Sequence, residues 1–326
     1  MRTILEQIQQ AAKRIEPYTV KTPLIRLSQL DSYLGCQVYA KCECMQITGS
    51  FKLRGAMNMI MGLDPEQLKN GIVTASSGNH GRGCAYAAKK LGIPATVVVP
   101  DSAPPIKVEN IRRLGAEIVQ CPAVKRFEVA EQLCQEKHAE FIPPYNAEQI
   151  MAGQGTAGLE IMEQLPEVDM VVIPVSGGGL IGGVSAAIKE TDQRVTVIGV
   201  EPAAIPRYTA SLQAGEPVTV EQKPTIADAL VSNHPGTKCF PMVQKYVDRI
   251  ATAEEEQILQ AQKLLLTEGK IFAEASGCLG IAGVLAGRVA VQPDQKVCFL
   301  ISGGNCSIQQ LEILNSVEIP KEAERR

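Results

Sequence analysis

The stretch that decides the fold is "DMVVIPVSGGGLIGGVSAAIKE", residues 169–190. An apolar, β-branched run passes directly into three glycines and then into a helix-length segment of small and apolar residues. Strand, glycines and helix in that order are the unit of a parallel α/β sheet, and bare N–H groups at such a helix start bind phosphate. Glycines also serve tight turns and close helix packing, so the loop needs company before it implies a ligand. Gly177, Gly179 and Gly182 satisfy G-x-G-x-x-G, and Glu201 ends the next apolar run. A dinucleotide fold carries its ribose-binding acid about 20 residues on, so a nicotinamide-dependent oxidoreductase is one reading.

The same rhythm recurs along the chain. "GIVTASS" (71–77), "ATVVVP" (95–100), "AEIVQC" (116–121), "RVTVIGVE" (194–201) and "KVCFLISGG" (296–304) read as further strands between helix-length segments. They lack polar alternation, as expected where helices cover both faces of a sheet. In open α/β sheets ligands bind at the carboxyl ends of the strands. Four loops concentrate glycine and hydroxyl groups in such positions: "TGSFKLRGA" (48–56), "SSGNHGRG" (76–83), "SGGGLIGG" (176–183) and "SGGNCS" (302–307).

Composition narrows the partner. A chain of 326 residues that is 45% hydrophobic can bury a large core, and about 150 residues per domain suggests two domains. A formal charge of -3, 4% aromatics and no Trp leave no basic patch or stacking platform for nucleic acid, so a small molecule is expected. The amphipathic, charged start "MRTILEQIQQAAKRIEP" is unlike a leader peptide, and no run has membrane-spanning length, which predicts a cytoplasmic protein. The 10 cysteines include the pair Cys42 and Cys44 but no C-x-x-C, and the 3 histidines are scattered. Buried free thiols are therefore expected rather than a metal site. The proline-rich "FIPPYNAEQIMAGQG" (141–155) is the best candidate for a crossing between subdomains.

The four loops, with "AGQGTAGLE", "GVEP" and "TIAD" in this order and spacing, resemble the serine/threonine dehydratase and serine racemase group of fold type II pyridoxal-phosphate enzymes. The resemblance runs from "TPLIRLSQL" to "SGGN". It implies a tryptophan synthase beta-like α/β fold of two open, twisted, mostly parallel sheets flanked by helices. It also implies a large cofactor domain (1–50 and 147–326), a small mobile domain (51–146) and a homodimer. Lys52 is then the amine that forms a Schiff base with pyridoxal 5'-phosphate and later moves a proton. Phe51 packs on the cofactor ring, Asn79 bonds its hydroxyl, and Ser302 faces its pyridine nitrogen. Ser176, Gly177, Gly178, Gly179 and Leu180 hold its phosphate, and Glu274 and Gly303 line its site. Ser76, Ser77, Asn79 and His80 hold the substrate carboxylate with Arg126 nearby, although a helical Arg126 would otherwise pair with Glu128 or Glu131. Ser77 also stands where racemases carry an opposite-face acid.

The activity implied is β-elimination from L-threonine or L-serine to a 2-keto acid and ammonia. Racemisation, dehydration of threo-3-hydroxyaspartate and a non-catalytic amino-acid sensor are the alternatives. Some positions depart from the family. Ala229 and Ala275 replace a usual glycine and proline, and Arg82 replaces a usual glutamine. Arg82 reads first as a surface residue and second as a selector of a second carboxylate. In racemase-like members Glu201 would share a divalent cation with an aspartate six residues later, where this chain has Arg207. Either Arg207 pairs with Glu201 or it points to solvent, and both readings leave no metal there. The short tail after "SGGN" implies no regulatory domain.

Overall fold

Ten strands sort into two sheets across residues 2–319, the part of the chain that the computed structural model describes. The end of the tail, 320–326, lies outside the described residues. Along the chain the strands are β1 Leu24–Arg26, β2 Gln37–Cys42, β3 Ile72–Ala75, β4 Ala95–Pro100, β5 Glu117–Cys121, β6 Glu140–Phe141, β7 Met170–Pro174, β8 Thr196–Pro202, β9 Arg249–Ala253 and β10 Lys296–Ile301. One sheet has the order β1-β2-β10-β7-β8-β9 and the other β5-β4-β3-β6. Every pairing is parallel except β1 with β2. All six expected strands are present, whereas β1, β2, β6 and β9 were not legible in advance.

Strand order places the loops. Because β2, β10 and β7 are parallel neighbours, the chain leaves all three at one edge of the larger sheet. The segment leading to Lys52, the Ser302 loop and the Gly177 loop therefore emerge side by side. The second sheet contributes the segments after β3 and β6, which carry Ser76 to His80 and Ile142 to Asn146.

Three helices fix these loops in depth. Lys52–Met61 and Gly179–Thr191 both pack against Glu148–Gln164, which follows β6. Contact is backbone to backbone. A Cβ on Gly153 would stand 2.5 Å from Arg54 O, and one on Gly183 would stand 2.1 Å from Met151 O. The glycines of "AGQGTAG" thus bring the N-termini of the lysine helix and the glycine-loop helix against one central rod.

A buried ion cluster holds the lysine helix. Arg54 is 1% exposed and grips Glu43 through Nε and NH2, each at 2.8 Å. It also grips Glu160 through NH1 at 2.6 Å and NH2 at 2.8 Å. Lys41, fully buried on β2, pairs with Glu160 and donates to Gln164 Oε1 and Thr22 O, each at 2.8 Å. Burial works against a charged Glu43, yet the Arg54 guanidinium holds its carboxyl below the ordinary range. Removing one member of such a cluster strands the others without water. Arg54→Met is expected to cost about 3–5 kcal/mol in urea denaturation, and a loss below about 1 kcal/mol would show that the cluster does not anchor the helix.

Candidate active site

Lys52 is the first residue of its helix. The loop before it is stitched to the end of β10. Ser50 forms an antiparallel bridge with Gly303, and Phe51 N donates to Ser302 O at 3.1 Å. Lys52 Nζ donates to Pro144 O at 2.6 Å and lies 5.2 Å from the Phe51 ring centroid. The residue is partly accessible, but its amine has no carboxylate partner among the described residues. Burial therefore pushes its pKa down to about 8, with the nearby Cys239 and Cys84 thiols acting weakly the other way.

The glycine loop forms an anion cradle. Gly177, Gly178, Gly179 and Leu180 are buried at the start of a 13-residue helix, and among the described residues their N–H groups have no hydrogen-bond acceptor. Buried, unpaired N–H groups at a positive helix end are arranged for a phosphate or carboxylate. The crowding demands glycine. Gly178 has φ +98°, and a Cβ there would sit 1.8 Å from Tyr208 Oη. Ser176 begins the loop, partly buried, and Gln154 brings a buried amide with no hydrogen-bond partner close to Gly179.

Asn79 opens the helix after β3. Its Nδ2 donates to Glu274 Oε1 at 2.7 Å, and its Oδ1 accepts from Asn305 Nδ2 at 2.7 Å. Burial and the charge of Asp228 push Glu274 up to about 7. Ser302 is buried, and no hydrogen bond among the described residues involves its hydroxyl. Ser76 Oγ accepts from Gly78 N at 3.3 Å, and Ser77 is partly buried with a free hydroxyl among the described residues.

Two expected substrate contacts sit differently. His80 is buried, with Nε2 donating to Ile142 O at 3.0 Å, and burial followed by the Lys52 charge pushes its pKa down to about 3. Its neutral ring offers a carboxylate no charge. Arg126 begins the helix Arg126–Lys137, partly exposed, with its guanidinium 4.9 Å from the Phe127 ring centroid. Among the described residues it pairs with neither Glu128 nor Glu131 and makes no hydrogen bond to the loops around Lys52.

The residues missed in the sequence are Tyr145, Gln154, Tyr208, Cys239 and Asn305. Tyr145 lies against Gly177 and Gly179, and Cys239 Sγ donates to Tyr145 O at 3.5 Å. Asn305 and Gln154 had a signal, as members of "SGGN" and "AGQGTAGLE". Arg82, read first as a surface residue, is instead half-buried, and its NH1 donates to Asn305 Oδ1 at 2.6 Å.

The dinucleotide reading fails at Glu201. That carboxylate is fully buried and accepts from Tyr208 N, Thr209 N and Thr209 Oγ1 at 2.8–3.0 Å, so it cannot serve a ribose. Arg207 is also fully buried, with Nε 3.9 Å from Glu201 Oε2. Its NH1 and NH2 donate to Val175 O at 3.0 Å and Leu230 O at 2.9 Å. The solvent-facing reading of Arg207 fails, and the paired one holds only as a charge contact, since Nε makes no hydrogen bond and no bidentate pair forms among the described residues. Its helix also supports the glycine loop, because Tyr208 Oη donates to Gly177 O at 3.1 Å.

Comparison with known proteins agrees with this geometry. Residues 15–303 match the model of a family described as pyridoxal-phosphate dependent enzyme. The chain is 43% identical to an L-threonine ammonia-lyase of Thermotoga maritima over 310 residues, which covers 94% of this chain and 77% of that protein. It is 40% identical to a serine racemase of Arabidopsis thaliana, with 93% of each chain covered. The structure of maize serine racemase superimposes with a TM-score of 0.91 at 36% identity, covering 95% of each chain.

Burial raises the Glu201 carboxyl, whereas its N–H partners and Arg207 pull it back down. Arg207→Ala leaves that buried carboxylate without its cation and is expected to cost about 1–3 kcal/mol in urea denaturation. The sign of the pH dependence follows. The variant raises the native pKa of Glu201 further above its unfolded value, so the loss grows as pH rises from acid toward neutral. Equal stability at neutral pH would show that Arg207 does not neutralise Glu201.

Proposed function

The chain belongs to the pyridoxal-phosphate dependent enzymes, and from that premise we propose that it is an ammonia-lyase. It would convert a β-hydroxy amino acid, foremost L-threonine or L-serine, to a 2-keto acid and ammonia. The observation that carries this reading is the Lys52 amine, whose pKa burial lowers to about 8, set beside a glycine cradle whose N–H groups have no acceptor among the described residues. These residues fit the cofactor: an amine for its aldehyde and buried N–H donors for its phosphate.

When bound, pyridoxal phosphate supplies an aldehyde that captures amines and a ring that takes up charge from Cα. Gly177, Gly178, Gly179 and Leu180 hold its phosphate, and Phe51, Asn79, Glu274, Ser302 and Gly303 surround its ring. The Lys52 amine accepts the Cα proton, a task for which a lowered pKa suits it. Ser76, Ser77 and the N-terminus of the Asn79 helix orient the substrate carboxylate. Ser302 offers the pyridine nitrogen a hydroxyl, which does not hold it protonated as a carboxylate would, so loss of the β-hydroxyl outruns slower side reactions.

Racemisation is a second reading, favoured by the partly buried and unpartnered Ser77 hydroxyl. Chiral separation of serine after incubation decides it. The proposal further takes residues 51–146 as the smaller, mobile unit and the working form as a cytoplasmic homodimer. Ten free cysteines fit a reducing compartment.

The test is ammonia release from L-threonine, L-serine and threo-3-hydroxyaspartate. Lys52→Ala is expected to abolish it while far-UV circular dichroism stays unchanged, and turnover equal to the parent's would sink the assignment. Ser302→Asp is expected to lower elimination at least about tenfold, a cost near 1.4 kcal/mol, and to raise side reactions. Unchanged kinetics in a folded variant would remove Ser302 from the ring.

A further inference from the structure

A closed ring of hydrogen bonds joins Asn305, Asn79 and Glu274, and Arg82 donates into it at Asn305. Arg82 NH1 donates to Asn305 Oδ1 at 2.6 Å. Asn305 Nδ2 donates to Thr48 O at 2.9 Å and to Asn79 Oδ1 at 2.7 Å. Asn79 Nδ2 then donates to Glu274 Oε1 at 2.7 Å, and Glu274 Oε2 accepts the backbone N–H of Asn305 at 3.1 Å. Packing leaves this arrangement little room. A Cβ on Gly49, which has φ +74°, would stand 2.4 Å from Asn305 Oδ1, and one on Gly303 would stand 2.5 Å from Glu274 Oε1.

The ring has a direction, and its chemistry fixes which. An asparagine amide fills the same space either way round, presenting a donor or an acceptor at a given point. A guanidinium only donates, and both oxygens of Glu274 accept here, one from Asn79 and one from the Asn305 backbone. Arg82 on the oxygen and the Thr48 carbonyl on the nitrogen turn Asn305 the same way, so its nitrogen also faces Asn79. Asn79 must then turn its oxygen to Asn305 and its nitrogen to Glu274. Arg82 is half-buried and forms no ion pair among the described residues, so its place is not explained by charge neutralisation.

We propose that Arg82 is a positioning residue: through Asn305 it fixes the orientation of the Asn79 amide, so that the second Nδ2 hydrogen of Asn79 is offered as a donor to the cofactor. This inference rests on the reading that Asn79 holds pyridoxal phosphate. Arg82 acts across two side chains and need not touch the cofactor.

The measurement is the dissociation constant of pyridoxal phosphate, from titration of the apoprotein and from the absorbance of the bound cofactor. Arg82→Met is expected to weaken binding about tenfold, near 1.4 kcal/mol, and to shift that absorbance. Arg82→Lys, also a pure donor, stays within about threefold of the parent. Asn305→Asp is the second variant. It keeps an acceptor for Arg82 and so favours folding, but it cannot donate to Asn79, and it is expected to lose about tenfold as well. In the double variant Arg82→Met adds no further loss to Asn305→Asp. Parent-like affinity in either single variant, or losses that multiply, would overturn the inference. So would a change confined to the KM for threo-3-hydroxyaspartate, which would make Arg82 a substrate-carboxylate anchor instead. A parent protein that takes up no pyridoxal phosphate would overturn the cofactor reading itself, and the inference with it.

Discussion

Arg54 is the residue on which the rest of the site depends. It sits two positions beyond Lys52, on the same helix, and is shared between Glu43 from the segment after β2 and Glu160 from the Glu148–Gln164 helix. One planar cation therefore fixes a loop, a strand end and two helices with directional bonds. Lys41 brings the cluster to two cations and two carboxylates, so the buried charge cancels. Without that closure, desolvation would outweigh the attraction. The outcome is a lysine whose Cα is held rigidly while its amine reaches into a different environment.

The contrast between those environments is electrostatic. Both carboxylates of the cluster are spent on Arg54 and Lys41, and none reaches the Lys52 amine. A carbonyl oxygen is the partner that the amine does have, and it stabilises the ammonium much less than a carboxylate would. Glu274 meets the opposite condition. Buried, with Asp228 nearby and only amide donors against it, it is pushed up to about 7. Near neutral pH the site thus combines an amine that gives up its proton readily with a carboxyl that keeps one readily.

Much of this was legible in the sequence, for identifiable reasons. The β-branched runs that become β3, β4, β5, β7, β8 and β10 lie among helices and carry little besides apolar residues, so composition alone marks them. The glycine loops announce themselves by composition, and at Gly81, Gly178 and Gly303 crowding leaves no room for a Cβ. What stayed hidden depends on partners distant in the chain. β2, "QVYAKC", carries Lys41, and only Glu160 and Gln164 from another helix explain how a lysine can lie in a buried strand. Arg82 looked like a surface arginine until Asn305 came beside it, and for Arg207 the sequence left Glu201 and solvent equally open until the fold buried it. His80 looked polar and available, but the nearest acceptor is the Ile142 carbonyl, at the end of a strand of two residues that no pattern could mark.

The two sheets meet in two chemically different ways. Just beyond Lys52, the Lys52–Met61 and Glu148–Gln164 helices touch through glycine backbone and almost fully buried charge. At the loops the links include the part-buried pair Asn79 with Glu274, Arg82 with Asn305, Asn146 with Thr237, and the more exposed Lys107 with Asp228 at 2.6 Å. Lys107 and Asp228 are each about a third exposed. Exposed polar links exchange with water at a cost of roughly 0–1 kcal/mol, whereas a broken buried ion pair costs about 3–5 kcal/mol. The buried ion pairs of Arg54 are therefore costlier to break than the partly exposed pair of Lys107 with Asp228.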